Sequence, residues 1–456
     1  MFVPSETRTV LPKLNYTAKI ISMNSCTSHR RIPFTVIASL AALGIWILSI
    51  LAHPTKENYL NNPKPLDLEI YKLAAQHLHE HGDIYQVTGY IDNLPFTYPP
   101  FSGFLFEKMY LLFGMGSTVT IFWQVASFFC LIGTLFLVAA RSIRPGLTAG
   151  VFATVAAVAS LGLAPVHETL FFGQINLFLL FLVSCDFLTS KRKWSGVGTG
   201  LAAGIKLTPA LFGFVFVLEK RWIPALVSFL TFLVTVAIGW FTVPDAKDFW
   251  TEKIKDSSRV GDHHNPVAQS ITSVLIRNDA EKWTTLLIVV VALSAAVAVW
   301  AALHRGHRTV AMSLAGLTAC LVSPFTWEHH WIWAVPLCAA AILGITNYVA
   351  DIAQNKPRWI IILSTEVAGL IAVVLVSLVT MPIYSGRVLN DYNLFIDVHD
   401  PSTATSPAFI FFGIVAIVGY ALTSPFEMVK AWNTTKSRHA RRENSITVHE
   451  LLEKEN

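Results

Sequence analysis

The side chains able to do chemistry in this chain fall into short clusters. Asp67 lies in Leu66-Asp67-Leu68-Glu69-Ile70-Tyr71, just after Pro65, and Tyr98 lies in Phe96-Thr97-Tyr98-Pro99-Pro100-Phe101. Further on come His167-Glu168, Gly173-Gln174-Ile175-Asn176, Asp262-His263-His264-Asn265 with Gln269, and Trp327-Glu328-His329-His330-Trp331. A carboxylate at a water–lipid boundary can take a proton from a sugar hydroxyl. A simpler reading makes Asp67 a cap or first-turn acid of a short amphipathic helix, with Leu66, Ile70, Leu73 and His77 on one face. Tyr71 lies one turn on and faces the same way as Asp67, while Glu69 points elsewhere.

His329 and His330 are neighbours, about 100° apart on a helix, so they are poorly placed to share one metal, and the i, i+4 zinc spacing is absent. Beside Trp327, Trp331 and Trp333 they could hydrogen-bond a phosphate or a sugar, or be polar tips of an aromatic belt. Lys206 is the clearest charge within an apolar stretch; a buried ammonium is costly, so it faces a cavity or a partner, and it would suit an anionic lipid phosphate. Gln174 and Asn176 open an apolar helix and could bond a ligand or join helices, and Asn265 and Gln269 are of the same kind. Asp186 and Glu366, toward the cytoplasmic ends of their spans, are expected to snorkel.

The elements that position these residues are membrane helices. The chain has 456 residues, 53% hydrophobic and 14% charged, with a mean hydropathy of +0.53. Several apolar runs approach the roughly 20 residues a helix needs to cross a bilayer. The net charge of +5 forms no basic stripe with interleaved aromatics, so nucleic acid is not an expected partner. The five cysteines show no CxxC spacing, which gives neither a disulfide framework nor a zinc site. The first apolar run, Ile32–Ala52, is long for a signal peptide and reads as an uncleaved first span.

Basic residues mark the cytoplasmic ends of spans. Arg30-Arg31 place the N-terminus inside and the 53–99 loop outside. Spans are then expected at Thr118–Ala140, Leu147–Val166, Leu170–Thr189, Trp222–Val243, Trp283–Leu303, Ala311–Val322, Ile332–Tyr348, Trp359–Met381 and Ala408–Leu422. Between Lys191-Arg192-Lys193 and Lys220-Arg221 the apolar stretch Gly196–Leu218 is basic at both ends. A single crossing would strand the later clusters Arg305-Arg308, Lys356-Arg358 and Lys430–Arg442 outside. A broken helix pair turning near Lys206-Leu207-Thr208-Pro209 keeps them all inside. The expected architecture is an all-α polytopic membrane protein with about ten full transmembrane helices plus a re-entrant half-helix pair, and a large first extracytoplasmic loop carrying a short interfacial helix. Its divisions are a cytoplasmic segment 1–31, a membrane-embedded domain 32–425 and a partly disordered cytoplasmic tail 426–456. Every polar cluster then falls on the extracytoplasmic side, which suits an enzyme better than alternating access; no inverted repeat is evident.

These segments resemble the polyprenol-phosphate-mannose-dependent mannosyltransferases of glycosyltransferase family 87, in the GT-C superfamily. The matching stretches are those around Asp67, Tyr98 and Gln174, then Gly200-Leu201-Ala202-Ala203-Gly204-Ile205-Lys206-Leu207-Thr208-Pro209, Asn265 to Ser270, and Ser323-Pro324-Phe325-Thr326-Trp327-Glu328-His329-His330-Trp331. The Asp262-His263-His264 run before Asn265 departs from the simplest pattern. The resemblance implies a GT-C fold and an inverting transfer of mannose from polyprenyl-phosphate-mannose to a mannoside of an envelope glycolipid, forming α-(1→2) linkages. It implies Asp67 as the base, with Lys206, His329, His330, Tyr98, Gln174 and Asn176 toward the donor and Tyr71, Glu168, Asn265 and Gln269 lining the acceptor side. No metal, cofactor or obligate protein partner is expected beyond membrane lipids and the two substrates, at the plasma membrane. The alternatives are a polyprenyl-phosphate-arabinose-dependent arabinofuranosyltransferase of the same superfamily and a lipid-linked sugar transporter.

Overall fold

A computed structural model describes residues 31–53, 62–87, 89–189, 195–385 and 407–423. The terminal segments expected at 1–31 (Arg31 apart) and beyond 425, the cluster Lys191-Arg192-Lys193, and Arg387, Asp391 and Asp397 lie outside these residues. The described residues form helices and isolated bridges, with no strand ladder among them.

In chain order the helices are α1 (Phe34–Leu51), α2 (Leu66–His81), α3 (Pro100–Phe113), α4 (Ser117–Ser142), α5 (Leu147–Ala159), α6 (Ala164–Phe172), α7 (Asn176–Leu188), α8 (Val197–Ile205) and α9 (Phe212–Leu218). They continue as α10 (Trp222–Thr242), α11 (Ala246–Thr251), α12 (Ile271–Arg277), α13 (Thr284–His304), α14 (Arg308–Val322), α15 (Ala334–Ala353), α16 (Arg358–Thr380) and α17 (Ala408–Ala421). Among the described residues six helical stretches are long and apolar enough to cross a membrane: Phe34–Leu51, Ser117–Ser142, Trp222–Thr242, Glu281–His304, Glu328–Ala353 and Arg358–Ile383. Their outward faces are apolar too; α10 alone exposes Ile223, Leu226, Phe229, Leu230, Leu233 and Val234. Such a surface is inside-out for water and ordinary for lipid. The chain is an all-helical polytopic membrane protein.

The polar clusters meet at one end of the bundle. Asp245 Oδ2 accepts from the backbone N–H groups of Ile84 (2.9 Å) and Tyr85 (2.5 Å), and Arg259 Nη2 donates to the Phe96 carbonyl at 2.9 Å. Trp327 Nε1 donates to the Val260 carbonyl at 3.1 Å, and Thr169 Oγ1 to the His329 carbonyl at 3.2 Å. At the opposite end Glu219 takes Arg221 at 3.2 Å and also Arg308.

Several local features differ from the sequence-based expectation. α2 buries Leu68, Tyr71, Ala75 and Leu78 rather than Leu66, Leu73 and His77, because it packs on α3 and on the turn after α6. α3 itself was not anticipated; Pro100 starts it, and it ends at Gly114 with Leu111, Leu112 and Phe113 exposed. His167-Glu168 does not mark an external helix end. The break comes earlier, at Leu163 in extended backbone, and both residues are buried inside α6. Asp186 does not reach out to water, and Glu366, half-buried, gives its carboxylate to a neighbouring helix. Asp186 is buried and accepts from the Thr199 N–H at 2.7 Å, while Glu366 accepts from Phe34 N at 3.0 Å and Thr35 N at 2.8 Å. Each satisfies orphan donors at a helix N-terminus.

The stretch 196–218 turns back on itself. Added Cβ atoms at Gly196, Gly200 and Gly204 would meet Pro224 O at 2.3 Å, Ser228 O at 2.5 Å and Thr235 Oγ1 at 2.1 Å. α8 therefore runs beside α10 in the same direction, seated by a small-residue stripe that only glycine permits. α9 returns the other way, with Gly213 again near Ser228. The tip at Ile205-Lys206 stops about 10 Å short of the end of α10, at 1.5 Å per residue. Above it sits the start of α3, where Ser102 Oγ donates to the Ile205 carbonyl at 2.6 Å.

Candidate active site

Asp67 occupies the first turn of α2; the residue before that helix is Pro65, which offers no side-chain cap. What positions Asp67 is the α6–α7 turn. Gly173 adopts left-handed backbone (φ 68°, ψ 35°), with Gly173 N–H on the Leu170 carbonyl and Gln174 N–H on the Thr169 carbonyl at 2.8 Å. This is the helix stop that glycine favours. A Cβ on Gly173 would sit 2.7 Å from Leu68 Cβ and 2.9 Å from Pro65 Cβ, so the missing side chain lets the start of α2 lie against the turn. Gln174 is thereby brought close enough to act on the Asp67 carboxyl. Glu69 turns away to Lys72 at 2.6 Å.

Asp67 is half-buried, and burial pushes its pKa up to about 6, with the Gln174 hydrogen bond and then the Lys206 charge pulling it back down. Tyr71 OH donates to Tyr98 OH at 2.8 Å, and Tyr98 OH donates to Gln174 Oε1 at 2.7 Å. Tyr71 is fully buried, stacked on Phe106 at 4.4 Å between centroids.

Lys206 stands at the tip between α8 and α9, its Nζ 5.4 Å from the centre of the Tyr98 ring. It donates to Asn176 Oδ1 at 3.2 Å and lies 2.8 Å from His330 Nε2. Asn176 Nδ2 donates to the His329 carbonyl at 3.0 Å, so one carboxamide links the tip to the histidine segment. That segment, Glu328–Trp333, is a 3-10 turn, and the two imidazoles stand nearly perpendicular, 4.6 Å apart. His329 Nε2 is buried with no hydrogen-bond partner among the described residues. A pocket opens beside Lys206, lined also by Asn176, Thr208, Pro209, Cys320, Thr326, His330 and Trp333.

Tyr71, Tyr98, Gln174, Asn176, Lys206, His329 and His330 thus form one connected cluster, with Asp67 beside it and within the field of Lys206. The remaining candidates lie apart from its hydrogen bonds. Glu168 Oε1 accepts from Ser385 Oγ at 2.5 Å and meets His167 Nδ1 at 2.9 Å. Asn265 turns its side chain onto Val267 N–H at 3.1 Å, and its carbonyl accepts from Arg277 Nη1. Gln269 braces the histidine segment: its N–H donates to the Thr326 carbonyl at 2.6 Å and its carbonyl accepts from Trp331 Nε1 at 3.2 Å. Thr208, Cys320, Thr326 and Trp333 are not among the candidate site residues of the sequence, although Trp333 is noted beside the histidines. Apart from the tip motif and the tryptophan segment, no local pattern announces them, because their nearness arises only when α8, α14 and α15 pack.

The arrangement sets a carboxylate of raised pKa across from an ammonium, with a pocket behind the ammonium. It can accept a proton at one point and stabilise a departing anion at the other.

The model for "Glycosyltransferase family 87" matches residues 96–324, which takes in Tyr98, Gln174, Asn176 and Lys206 and stops short of His329 and His330. The chain is 32% identical over 332 residues, 69% of its length and 76% of the relative's, to a polyprenol-phosphate-mannose-dependent alpha-(1-2)-phosphatidylinositol pentamannoside mannosyltransferase of Mycolicibacterium smegmatis. It is 28% identical over 335 residues, 67% of its length and 76% of the relative's, to a polyprenol-phosphate-mannose-dependent alpha-(1-2)-phosphatidylinositol mannoside mannosyltransferase of Mycobacterium tuberculosis. No solved structure matches the chain.

Proposed function

Because the chain belongs to glycosyltransferase family 87, we propose that it is a membrane mannosyltransferase that moves mannose from polyprenyl-phosphate-mannose to a mannoside acceptor of an envelope glycolipid, of the phosphatidylinositol mannoside class. The new bond is α-(1→2), as in the names of the relatives. The observation that carries this reading is the convergence of Asp67 and Lys206 around Tyr98, whose hydroxyl bonds Gln174 and whose ring lies under Lys206, at the end of the bundle where the polar loops meet.

In this reading the acceptor hydroxyl oxygen attacks the anomeric carbon of a β-linked donor from the face opposite the phosphate. Asp67 takes the hydroxyl proton as the new bond forms. The bond between the anomeric carbon and the phosphate oxygen breaks, and polyprenyl phosphate leaves with the electron pair. A phosphate is a good leaving group without a general acid, so the need is for charge stabilisation, which Lys206, with His330 and Asn176 beside it, supplies. His329, its Nε2 buried and unmatched among the described residues, is a further donor-side group.

The architecture that goes with this activity is a GT-C fold of about ten crossings, with α8 and α9 as a re-entrant pair and Lys206 at its tip. The site faces the extracytoplasmic side and both termini the cytoplasm. The supporting observation is that Arg31, Arg141, Arg221, Arg305, Arg308 and Arg358 lie at helix ends away from the polar loops. The membrane domain spans 32–425, with 53–99 as its first external loop.

The test is mannose transfer by the purified protein from polyprenyl-phosphate-mannose to a phosphatidylinositol mannoside, wild type against Asp67→Asn. Asparagine keeps the size of the side chain but not its basicity, and transfer is expected to fall by about 10²–10⁴-fold in a folded variant. Near-normal transfer by that variant would remove Asp67 from the role of base. Inert wild type with this donor, but activity with polyprenyl-phosphate-arabinose, would move the chain to the arabinose branch.

A further inference from the structure

Lys206 is held from two sides, and both holds lead back to neighbouring residues of one turn. On one side is the Tyr98 ring, its centre 5.4 Å from Nζ; on the other is His330 Nε2, 2.8 Å away. The two groups belong to stretches far apart in the chain, Phe96-Thr97-Tyr98 and Trp327 to Trp331.

Between α11 and α12 the chain makes a short 3-10 turn, Ser257–Arg259. Asp256 fixes it by accepting from the Ser258 N–H at 3.0 Å and from Ser258 Oγ at 2.5 Å. The Val260 N–H then closes the turn on the Ser257 carbonyl at 3.0 Å. Arg259 Nη2 donates to the Phe96 carbonyl at 2.9 Å, two residues before Tyr98. The next residue serves the other side. The Val260 carbonyl accepts from Trp327 Nε1 at 3.1 Å, and the Trp327 carbonyl accepts in turn from the His330 N–H at 3.0 Å. Gly261 completes the seat: a Cβ there would lie 2.3 Å from Trp327 Cζ2 and 2.6 Å from Phe325 Cζ, so the indole rests on bare backbone.

Each stretch also has anchors of its own. Tyr85 OH donates to the Tyr98 carbonyl at 2.6 Å, and Tyr85 N–H is held by Asp245. On the histidine side the Gln269 N–H donates to the Thr326 carbonyl at 2.6 Å. With both stretches firm, residues 259–261 set the spacing between them. That spacing matters because an ammonium is a compact point charge, and its effect on a departing phosphate depends on where it stands.

We propose that residues 259–261 form a yoke across the donor side of the site, with Arg259 and Gly261 as positioning residues: through Phe96 and Trp327 they set the gap between Tyr98 and His330 in which Lys206 stands. The inference rests on Lys206 being the group that stabilises the departing polyprenyl phosphate. It gives the loop between α11 and α12 a part in the transfer, and it leaves the exposed Asp262 and His264 side chains outside that part.

The experiment measures kcat and the KM of each substrate for mannose transfer from polyprenyl-phosphate-mannose to a phosphatidylinositol mannoside. The purified proteins are wild type, Arg259→Ala, Arg259→Lys, Trp327→Phe, Lys206→Ala and the double variant Lys206→Ala with Arg259→Ala, with thermal unfolding followed for each. Arg259→Ala is expected to lower kcat by about 10²-fold, the cost of a misplacement of about 1 Å, with both KM values within about threefold of wild type. Arg259→Lys should recover most of that loss, because one N–H on the Phe96 carbonyl is all that the contact needs. In the double variant the Arg259 change should add less than about twofold to the loss from Lys206→Ala, since the yoke acts through that ammonium. Trp327→Phe keeps a ring over Gly261 and removes the Nε1 bond, so it should lower kcat alone, by about tenfold. It is the deciding variant if Arg259→Ala does not fold. Losses that multiply in the double variant, or transfer within about twofold of wild type in both Arg259→Ala and Trp327→Phe, would overturn the proposal. A loss confined to acceptor KM would also overturn it, making Arg259 a direct ligand of the acceptor. If Lys206→Ala transfers mannose normally, the reading of Lys206 fails; if it is impaired while the Arg259 and Trp327 variants are not, only the yoke fails.

Discussion

Two regions at the same end of the bundle set an aspartate near a histidine pair, and they differ in what holds them. In the second polar loop Asp262 and His264 lie two residues apart in sequence, both 73% exposed, and bonded to each other through Nδ1 at 3.1 Å. Asp262 also accepts from the His264 N–H at 2.9 Å, and these local bonds hold its carboxyl below the usual carboxylate pKa. Of that run only His263 reaches inward, to Ser273 Oγ at 2.9 Å and the Phe325 ring. Asp67 and His330 are more than 250 residues apart in the sequence. Lys206 lies against His330 and acts on Asp67 through its charge, and burial moves the Asp67 pKa the opposite way, up to about 6. The lesson is that sequence adjacency of an acid and a histidine makes a turn, whereas a reactive pairing needs the low dielectric and fixed geometry that only packed elements supply.

The comparison can be pressed by experiment. The largest effect after loss of Asp67 itself is expected from Lys206→Ala, which removes the cation at the tip; kcat for mannose transfer should fall about 10²–10³-fold, as for loss of one group stabilising a departing charge. Lys206→Arg tells charge from geometry, because a planar fork cannot replace a point charge between Asn176 and His330 without rearrangement.

Next is pH. A base must be ionised to work, so kcat/KM should decline below a midpoint near 6, the raised value of Asp67, about tenfold for each further pH unit. A midpoint near 4 would mean that solvent reaches Asp67 as freely as it reaches Asp262.

A smaller effect, and one on stability rather than rate, is expected from Asp186→Ala. The carboxylate accepts from the Thr199 N–H at the start of α8, and its loss leaves a buried donor unmatched, costing about 1–3 kcal/mol. Thermal unfolding of the detergent-solubilised protein should report that loss, while the acid limb of the remaining activity stays where it is. Least of all is expected from Asp262→Asn with His264→Ala. These exposed side chains bond mainly to each other, so transfer should stay within about twofold and stability within about 0.5 kcal/mol. A large loss there would mean that the loop closes over substrate.

Much of this was legible from the chain. Apolar run lengths mark α1, α4, α10 and the helices from α13 through α17, and basic residues at both ends of 196–218 call for a turn near Lys206-Pro209, where α8 and α9 do reverse. Other points were not. A period-3.6 reading of 66–77 groups Leu66, Ile70, Leu73 and His77, yet of these only Ile70 is buried, because the buried face is set by α3 and the α6–α7 turn rather than by the helix's own composition. His167-Glu168 reads as a polar helix end but lies inside α6, since Pro165 opens a new helix and Gly173, eight residues later, closes it. Asp186 and Glu366 read as charges seeking water, yet each finds the bare N–H groups of a neighbouring helix, a partner that no single-helix pattern displays.

What the sequence determined by itself is the solvent, the element type and the inventory. Apolar length, charge bias and glycine and proline positions act locally, through hydropathy and backbone sterics, and they specify helices in a membrane with a small stock of polar residues at one end. What only the tertiary structure decided is which of those polar residues meet, and in what orientation. Gln174 becomes a partner of Tyr98 and Tyr71, beside Asp67, because Gly173 lets α2 lie against the turn, and Lys206 becomes a partner of His330 because α8 stops at the depth where the histidine segment crosses. Those are consequences of packing between elements distant along the chain, where hydrogen-bond direction and burial are set by three-dimensional contact and leave no periodic trace in the residues themselves.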